Sequence, residues 1–166
     1  MKEKYIDECK FIQQNCTYTA EAHYQMALSA KAKAFWFEVV PSVISVITGA
    51  LVAVGWAGNE LLILTISGSV VTAVSSVLNP SKSYQQHLDA ATNFTALKHD
   101  ARFLHESRSQ RLSDEAFAEC VESLHQKYNE LIKVVPPTSS ESFKKAQEVV
   151  QSGIHEPDRK KNGTIK

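Results

Sequence analysis

Two long uncharged runs constrain this chain more than any other feature. Residues 39–59 read VVPSVISVITGALVAVGWAGN and residues 61–81 read LLILTISGSVVTAVSSVLNPS, twenty-one residues each, with Glu60 between them. An α-helix rises about 1.5 Å per residue, so about 20 residues cross a hydrocarbon core about 30 Å thick. Each run is therefore long enough to cross a bilayer as a helix, and Glu60 marks the point where the chain returns to water.

The residues around the two runs suit a membrane hairpin. No Lys or Arg occurs between Lys33 and Lys82, and the link GWAGNE is typical of a tight turn. Trp56 and the aromatic residues 35–37 suit the two membrane–water boundaries. Pro41 lies near the start of the first run, where a missing N–H is tolerated. The alternative is a soluble protein that buries this hairpin under amphipathic helices, but a chain of 166 residues supplies few helices to cover it.

Basic residues near the ends of the runs predict the orientation. Lys31 and Lys33 precede the first run, Lys82, Lys98 and Arg102 follow the second, and the turn between the runs has none. Because basic residues mark the cytoplasmic side, both termini should face the cytoplasm. The three cysteines then lie in a reducing compartment, as expected from an odd count without paired spacing.

The predicted fold is an all-α membrane protein: a two-helix transmembrane hairpin with long amphipathic cytoplasmic helices before and after it. We predict an N-terminal cytoplasmic helix in residues 1–34, the transmembrane hairpin in 35–81, a cytoplasmic helical region in 82–152 and a disordered tail in 153–166. The first thirty residues are too polar for a cleavable signal peptide. Equal numbers of acidic and basic side chains, eighteen each, give no basic footprint, so no nucleic-acid partner is expected.

Three apolar stripes at helical spacing are predicted outside the hairpin. Asn79 and Pro80 are suited to cap and begin the second of these helices, and Ser113 to cap the third. The stripes can pack on each other, on neighbouring subunits, or on both. They comprise Tyr5, Cys9, Ile12, Cys16, His23, Met26 and Ala30, then Leu88, Ala91, Phe94, Leu97, Ala101 and Leu104, then Phe117, Val121, Leu124, Tyr128, Leu131 and Val135.

Polar side chains inside the runs are the candidate functional residues. Their intervals of three and four residues place them on one face of each helix. This pattern has two interpretations: close helix packing with interhelical hydrogen bonds, or the lining of a water-filled pore. A single hairpin cannot enclose a pathway, so a pore requires several copies. The candidates are Thr65, Ser69, Thr72, Ser76 and Asn79 in the second run, and Ser42, Ser45 and Thr48 in the first.

No catalytic, phosphate-binding or metal-binding motif is visible. The chain lacks the sequence patterns of P-loops, nucleophile elbows, zinc proteases and paired redox cysteines. Its six histidines show no ligand pairing along the sequence. We therefore predict that the protein is not an enzyme and needs no cofactor or metal.

Several motifs resemble the SLATT family of two-transmembrane effector proteins, which are associated with bacterial nucleotide-signalling and other anti-phage systems. The similar segments are CTYTAEAHYQMALSAKAKAF and LNPSKSYQQHLDAATNFTALKHD, within residues 5–135. The sequence departs from the family in its polar SYQQ, where relatives often carry basic residues. The matching positions are His23, Tyr24, Asn79, Pro80, His87, Phe94 and Leu97.

The resemblance implies a pore-forming or membrane-disrupting effector of the bacterial inner membrane. Such a protein would form a homo-oligomer in the lipid bilayer and be triggered by a nucleotide-signalling or other sensor partner of the same defence system. Two alternatives remain open from the sequence: a holin-like lysis protein, and a non-conducting anchor that recruits a soluble partner to the membrane.

Overall fold

The computed structural model describes residues 2–56 and 58–153, and every regular element in them is helical, as the sequence predicted. The apolar runs contain many β-branched residues, yet they form helices, the structure that pairs all backbone groups within one segment. The elements are α1 (Lys2–Ala53), α2 (Asn59–Leu78), α3 (Pro80–Phe103), a π-helix (Leu104–Arg108), α4 (Asp114–Val134) and α5 (Ser140–Gln151).

Helix α1 is longer than either sequence segment that forms it. The N-terminal helix expected in residues 1–34 and the first apolar run make one helix of 52 residues, and Pro41 lies inside it. A proline removes one N–H from the ladder, but the flanking turns stay paired. Two nearby hydroxyls also bond the backbone there, since Ser42 Oγ donates to the Glu38 carbonyl and Ser45 Oγ to that of Pro41, both at 2.8 Å.

Helix α2 ends before Asn79 and α3 begins at Pro80, as the Asn-Pro pair predicted. Asn79 adopts a left-handed conformation with φ 40° and ψ 60°, and its N–H donates to the Ser75 carbonyl at 2.9 Å. Its Oδ1 accepts the N–H of Lys82 at 3.2 Å, which caps the helix that begins at Pro80. Asparagine is among the few non-glycine residues that adopt this conformation readily.

The described residues form two compact units. One, which we call the core unit, comprises residues 2–26 and 86–153, and the other, the apolar unit, comprises residues 27–85. Helices α1 and α3 contribute to both units.

Within one chain, the core unit packs most of the three predicted stripes against each other, and Ala30 of the first stripe lies in the apolar unit. Leu104, at the start of the π-helix, belongs to the same core. The main buried side chains are Cys9, Ile12 and Cys16 of α1, Phe94, Leu97 and Ala101 of α3, and Phe117, Val121 and Leu124 of α4. Burial raises the pKa of the Cys9 and Cys16 thiols to about 11 and about 12, so both stay neutral and unreactive at physiological pH.

Helix α4 begins at the cap that the sequence predicted, Ser113, and Ser139 caps α5 in the same way. Ser113 Oγ accepts the Ala116 N–H at 3.3 Å, and Ser139 Oγ accepts the Ser142 N–H at 3.1 Å. Ser142 and Ala146 of α5 are buried. The tail expected to be disordered lies outside the described residues from position 154 onward.

The apolar unit exposes its apolar side chains. Helix α1 and the helical stretch that begins at Asn59 are long and apolar enough to cross a membrane, and no residue of their most apolar windows is buried within the protein. Val46, Ile63 and Val77 are 72%, 66% and 85% exposed. The soluble interpretation requires these side chains to be covered, and in this chain they are not.

Candidate functional site

The hydroxyl-bearing faces of the two apolar helices line one groove in the apolar unit. The groove has a volume of about 610 Å³. Pro41, Ile44, Gly68 and Ala73 complete its walls. We call it the hydroxyl groove; its polar residues are Ser45 and Thr48 from α1, and Thr65, Ser69, Thr72 and Ser76 from α2.

A glycine sets how closely the two helices approach at this groove. A Cβ atom added to Gly68 would lie 3.3 Å from Cγ2 of Ile44, tighter than most carbon contacts. Because glycine has no side chain, the α2 backbone packs directly against the Ile44 side chain. Small residues have this role at helix contacts in membranes, where close approach increases van der Waals contact.

Five of the six hydroxyls of the groove donate their protons within their own helices. Ser45, Thr48 and Thr65 each donate to the carbonyl four residues earlier at 2.8 Å. Ser69 and Thr72 do the same at 2.9 Å and 3.0 Å. A hydroxyl that donates in this way keeps oxygen lone pairs that can accept from another group. The groove is therefore lined by acceptor oxygens, which suit water molecules and partly hydrated cations.

Six of the eight polar residues singled out from the sequence line this groove, and two do not. Ser42 donates to the Glu38 carbonyl and is absent from the groove walls. Asn79 lies in the turn between α2 and α3, where its side chain caps α3. In the sequence, Asn79 continues the three- and four-residue spacing of the hydroxyls and was therefore grouped with them. In the structure α2 ends at Leu78, so Asn79 does not share their helix face.

The core unit brings together three of the positions that carry the family resemblance. Nδ1 of His23 and Nδ1 of His87 are 3.0 Å apart, and the two residues are only 1% and 5% exposed. The Phe94 ring stacks on His23 with centroids 5.7 Å apart. Leu97 belongs to the apolar core, whereas Tyr24 is 42% exposed. Sequence reasoning missed the histidine contact because the two residues are 64 positions apart.

Both histidines of the pair are neutral in the folded protein near neutral pH. Burial, and then the neighbouring charge of His87, lowers the pKa of His23 to about 4, and burial lowers the pKa of His87. One ring donates its Nδ1–H to the bare Nδ1 of the other, which is possible only while at least one Nδ1 lacks a proton. The pair therefore joins α1 to α3 near neutral pH.

A second surface feature of the core unit is a groove of about 500 Å³ beside the π-helix. Phe103, Leu104 and Arg108 line one side of it, and Cys120 and Lys127 of α4 line the other. The Arg108 guanidinium lies 5.5 Å from the Phe103 ring centroid. No sequence signal pointed to this groove, because a π-helix has no clear pattern of its own in a single sequence.

The histidines and cysteines do not assemble a metal centre in the described part of the chain. Within residues 2–56 and 58–153, no three His, Cys, Asp or Glu side chains are grouped so that they could hold a metal ion. The histidine pair alone supplies only two ligands.

Comparison with protein families, curated proteins and solved structures finds no match to this chain. The function is therefore proposed from the residues and geometry of this chain and from the resemblance of its motifs described above.

Proposed function

We propose that this protein is an oligomeric, pore-forming effector of the bacterial inner membrane that acts in anti-phage defence. In this proposal α1 and α2 cross the bilayer as a hairpin with the turn outside. Several copies then assemble so that their hydroxyl grooves line a common pathway. The core unit lies in the cytoplasm, where a sensor protein or a nucleotide signal triggers opening.

The hydroxyl groove is the observation that carries the proposal. Two helices that packed only to hide their polar faces would close over those hydroxyls. Here the space between the polar faces stays open, with a volume of about 610 Å³. A polar groove in an otherwise apolar pair is costly in lipid unless water or another polar surface fills it. Assembly of several copies around a wet pathway supplies that filling.

The exposed apolar surface supports the membrane part of the proposal. Large side chains such as Val46, Ile63 and Val77 face outward on helices long enough to span a bilayer. Many large apolar side chains exposed on the same two helices are typical of a membrane or protein contact. Between Lys33 and Lys82 the only charged residues are Glu38 and Glu60, which is typical of segments that lipid surrounds.

The defence role and the triggering partner rest on the resemblance to the SLATT family. The resemblance is most specific in the segment LNPSKSYQQHLDAATNFTALKHD, and in the core unit His23 contacts two of its residues, His87 and Phe94. A trigger acting on that unit would reach the spans through α1 and α3, the helices shared by both units.

The test is ion leak from liposomes that contain the purified protein at increasing density, because high density in the bilayer favours assembly of the pore without the trigger. Replacing Thr72 and Ser76 with leucine should abolish the leak, because both changes put apolar bulk into the hydroxyl groove. Ser67→Leu is the matched control: Ser67 is an exposed serine of the same helix whose hydroxyl donates to the Leu64 carbonyl, and it is not in the groove. Both variants should still pellet with membranes after carbonate extraction.

The outcomes separate the proposal from its rivals. Equal leak from wild type and the double leucine variant would overturn the assignment of the groove as the pathway. Absence of leak from the wild type at every density would favour the non-conducting anchor. Lysis of cells on expression alone, without any trigger, would favour a holin-like protein.

A further inference from the structure

A second groove of the apolar unit differs from the hydroxyl groove in chemistry and in residues. Trp36, Phe37 and Val40 of α1 and Val71 of α2 form its walls, and Lys33 lines it as well. Its volume is about 400 Å³. We call it the aromatic groove.

The residues of the aromatic groove are ordered from polar to apolar along α1. Ser29 and Lys33 come first, Trp36 and Phe37 follow one turn later, and Val40 comes last. At about 1.5 Å per residue, the distance along the helix from Lys33 to Val40 is about 10 Å. A phospholipid has the same order, with a charged head, a glycerol region at the interface and an acyl chain.

Charge complementarity indicates which head group fits. Lys33 is the last basic residue before the apolar run, and no other Lys or Arg occurs until Lys82. The neighbouring Lys31 has a different environment, since its Nζ lies 6.0 Å from the centre of the Tyr84 ring. Basic side chains beside apolar surface at the cytoplasmic boundary are typical of sites for anionic lipid head groups. Trp36 is 62% exposed, as expected for a side chain at the lipid interface.

We propose that the aromatic groove binds one anionic phospholipid, with its phosphate against Lys33 and an acyl chain along Trp36, Phe37, Val40 and Val71. This inference rests on the membrane insertion in the proposed function but not on the pore. The bound lipid would occupy the face formed by α1 and α2 at their cytoplasmic end. Lipid binding in the aromatic groove does not require the hydroxyl groove to form a pore.

The test uses Trp36 as a reporter. The chain has two tryptophans, so Trp56→Phe leaves Trp36 as the single indole. This protein is reconstituted in phosphatidylcholine vesicles that contain a small fraction of brominated lipid, either phosphatidylglycerol or phosphatidylcholine. Bromine quenches indole fluorescence on contact, so the loss of emission reports which lipid lies against Trp36.

Brominated phosphatidylglycerol should quench at a several-fold lower mole fraction than brominated phosphatidylcholine. In the same background Lys33→Gln should remove this preference, because the phosphate loses its cation. Lys31→Gln is the matched control, with the same change of charge two residues away, and should keep the preference. Val40→Phe should weaken quenching by filling the groove, whereas Val43→Phe, at a 49% exposed position of the same helix outside the groove, should not.

Equal quenching by the two lipids in the wild-type groove would overturn the site while leaving membrane insertion intact. Equal effects of the two lysine variants would also overturn it, since they would show attraction by general surface charge. If neither lipid quenches the fluorescence, Trp36 lies outside the bilayer. That result would count against the proposed membrane function itself.

Discussion

At the scale of single residues, the histidine pair has the clearest consequence for stability. His23 and His87 are buried at a mutual Nδ1 distance of 3.0 Å, and burial keeps both rings neutral in the folded chain. In the unfolded chain each ring can take up a proton in water. Folding therefore releases protons in mildly acidic solution, and stability depends on pH.

The pKa of His23 falls from its usual 6.5 to about 4 in the folded protein. Between pH 4 and pH 6.5 the unfolded state binds more protons than the folded state. The free energy of unfolding therefore decreases as the pH falls from 6.5 towards 4. We expect this loss to approach about 1.4 kcal/mol per pH unit in the middle of that window. Thermal unfolding of the full chain in detergent micelles, measured between pH 7 and pH 5, checks it.

Variants identify the groups responsible for this pH dependence. Combined His23→Gln and His87→Gln substitutions should reduce the slope of the profile, because glutamine does not titrate; the residual slope comes from His105, whose pKa is also lowered by burial. His125→Gln is the control, since His125 is an exposed residue whose Nδ1 lies 3.0 Å from Glu8. An unchanged slope in the double variant would contradict the account of the pair.

The sequence revealed the hydroxyl pattern but not the histidine contact. Three- and four-residue intervals place side chains on one helix face, and Thr65, Ser69, Thr72 and Ser76 do share a groove. The pairing of His23 with His87 depends on how two distant helices pack, and no local spacing records that. The matching family positions singled out both residues without indicating that they touch.

At the scale of elements, the contact between α1 and α2 depends on one glycine. Gly68→Leu should separate the two helices and fill part of the hydroxyl groove, because even a Cβ there would lie 3.3 Å from Ile44. We expect a lower thermal midpoint in micelles and reduced leak from liposomes.

Gly49→Leu provides the matched control for Gly68→Leu. Apart from the local backbone and the two chain neighbours, no heavy atom lies within 4 Å of a Cβ built at Gly49, so the substitution has space. It should leave both the midpoint and the leak close to wild type. Similar losses in the two variants would show that Gly68 has no special role in helix contact.

The caps of the core unit make a separate prediction at this scale. Ser113→Ala removes the side-chain oxygen that accepts the Ala116 N–H, and it should lower the free energy of unfolding by about 1 kcal/mol. Ser113→Asp should restore most of this loss, because aspartate caps helices equally well. Chemical unfolding in micelles, followed by circular dichroism, measures both. No difference between alanine and aspartate would contradict the capping role.

Element boundaries were predictable where a local signal ends a helix. Asn79–Pro80 and Ser113 are such signals, and α3 and α4 begin there. Pro41 was expected near the start of a helix but lies inside α1. The helical turns on both sides of it continue the helix. The π-helix was not foreseen, since its bond from the Ser109 N–H to the Leu104 carbonyl, five residues earlier, leaves the apolar spacing almost unchanged.

At the scale of the whole molecule, one chain combines two units that suit different solvents. The core unit buries its apolar stripes around Phe94 and Phe117, as a water-soluble helical domain does. The apolar unit leaves its apolar side chains exposed. Exposure of apolar side chains is unfavourable in water but not in lipid. The composition alone could not show this, because the zero net charge and the ordinary apolar fraction are averages over both units.

Topology labelling tests the central claim, that the two helices cross the bilayer together and return. Asn59→Cys places a thiol at the first residue of α2, in a Cys120→Ala background in which the remaining native cysteines, Cys9 and Cys16, are buried. An impermeant maleimide added to intact spheroplasts should label this variant. Native Cys120 in the wild type should react only after the membrane is permeabilised. Recovery of the protein in the soluble fraction, or labelling at position 59 only after permeabilisation, would contradict the account.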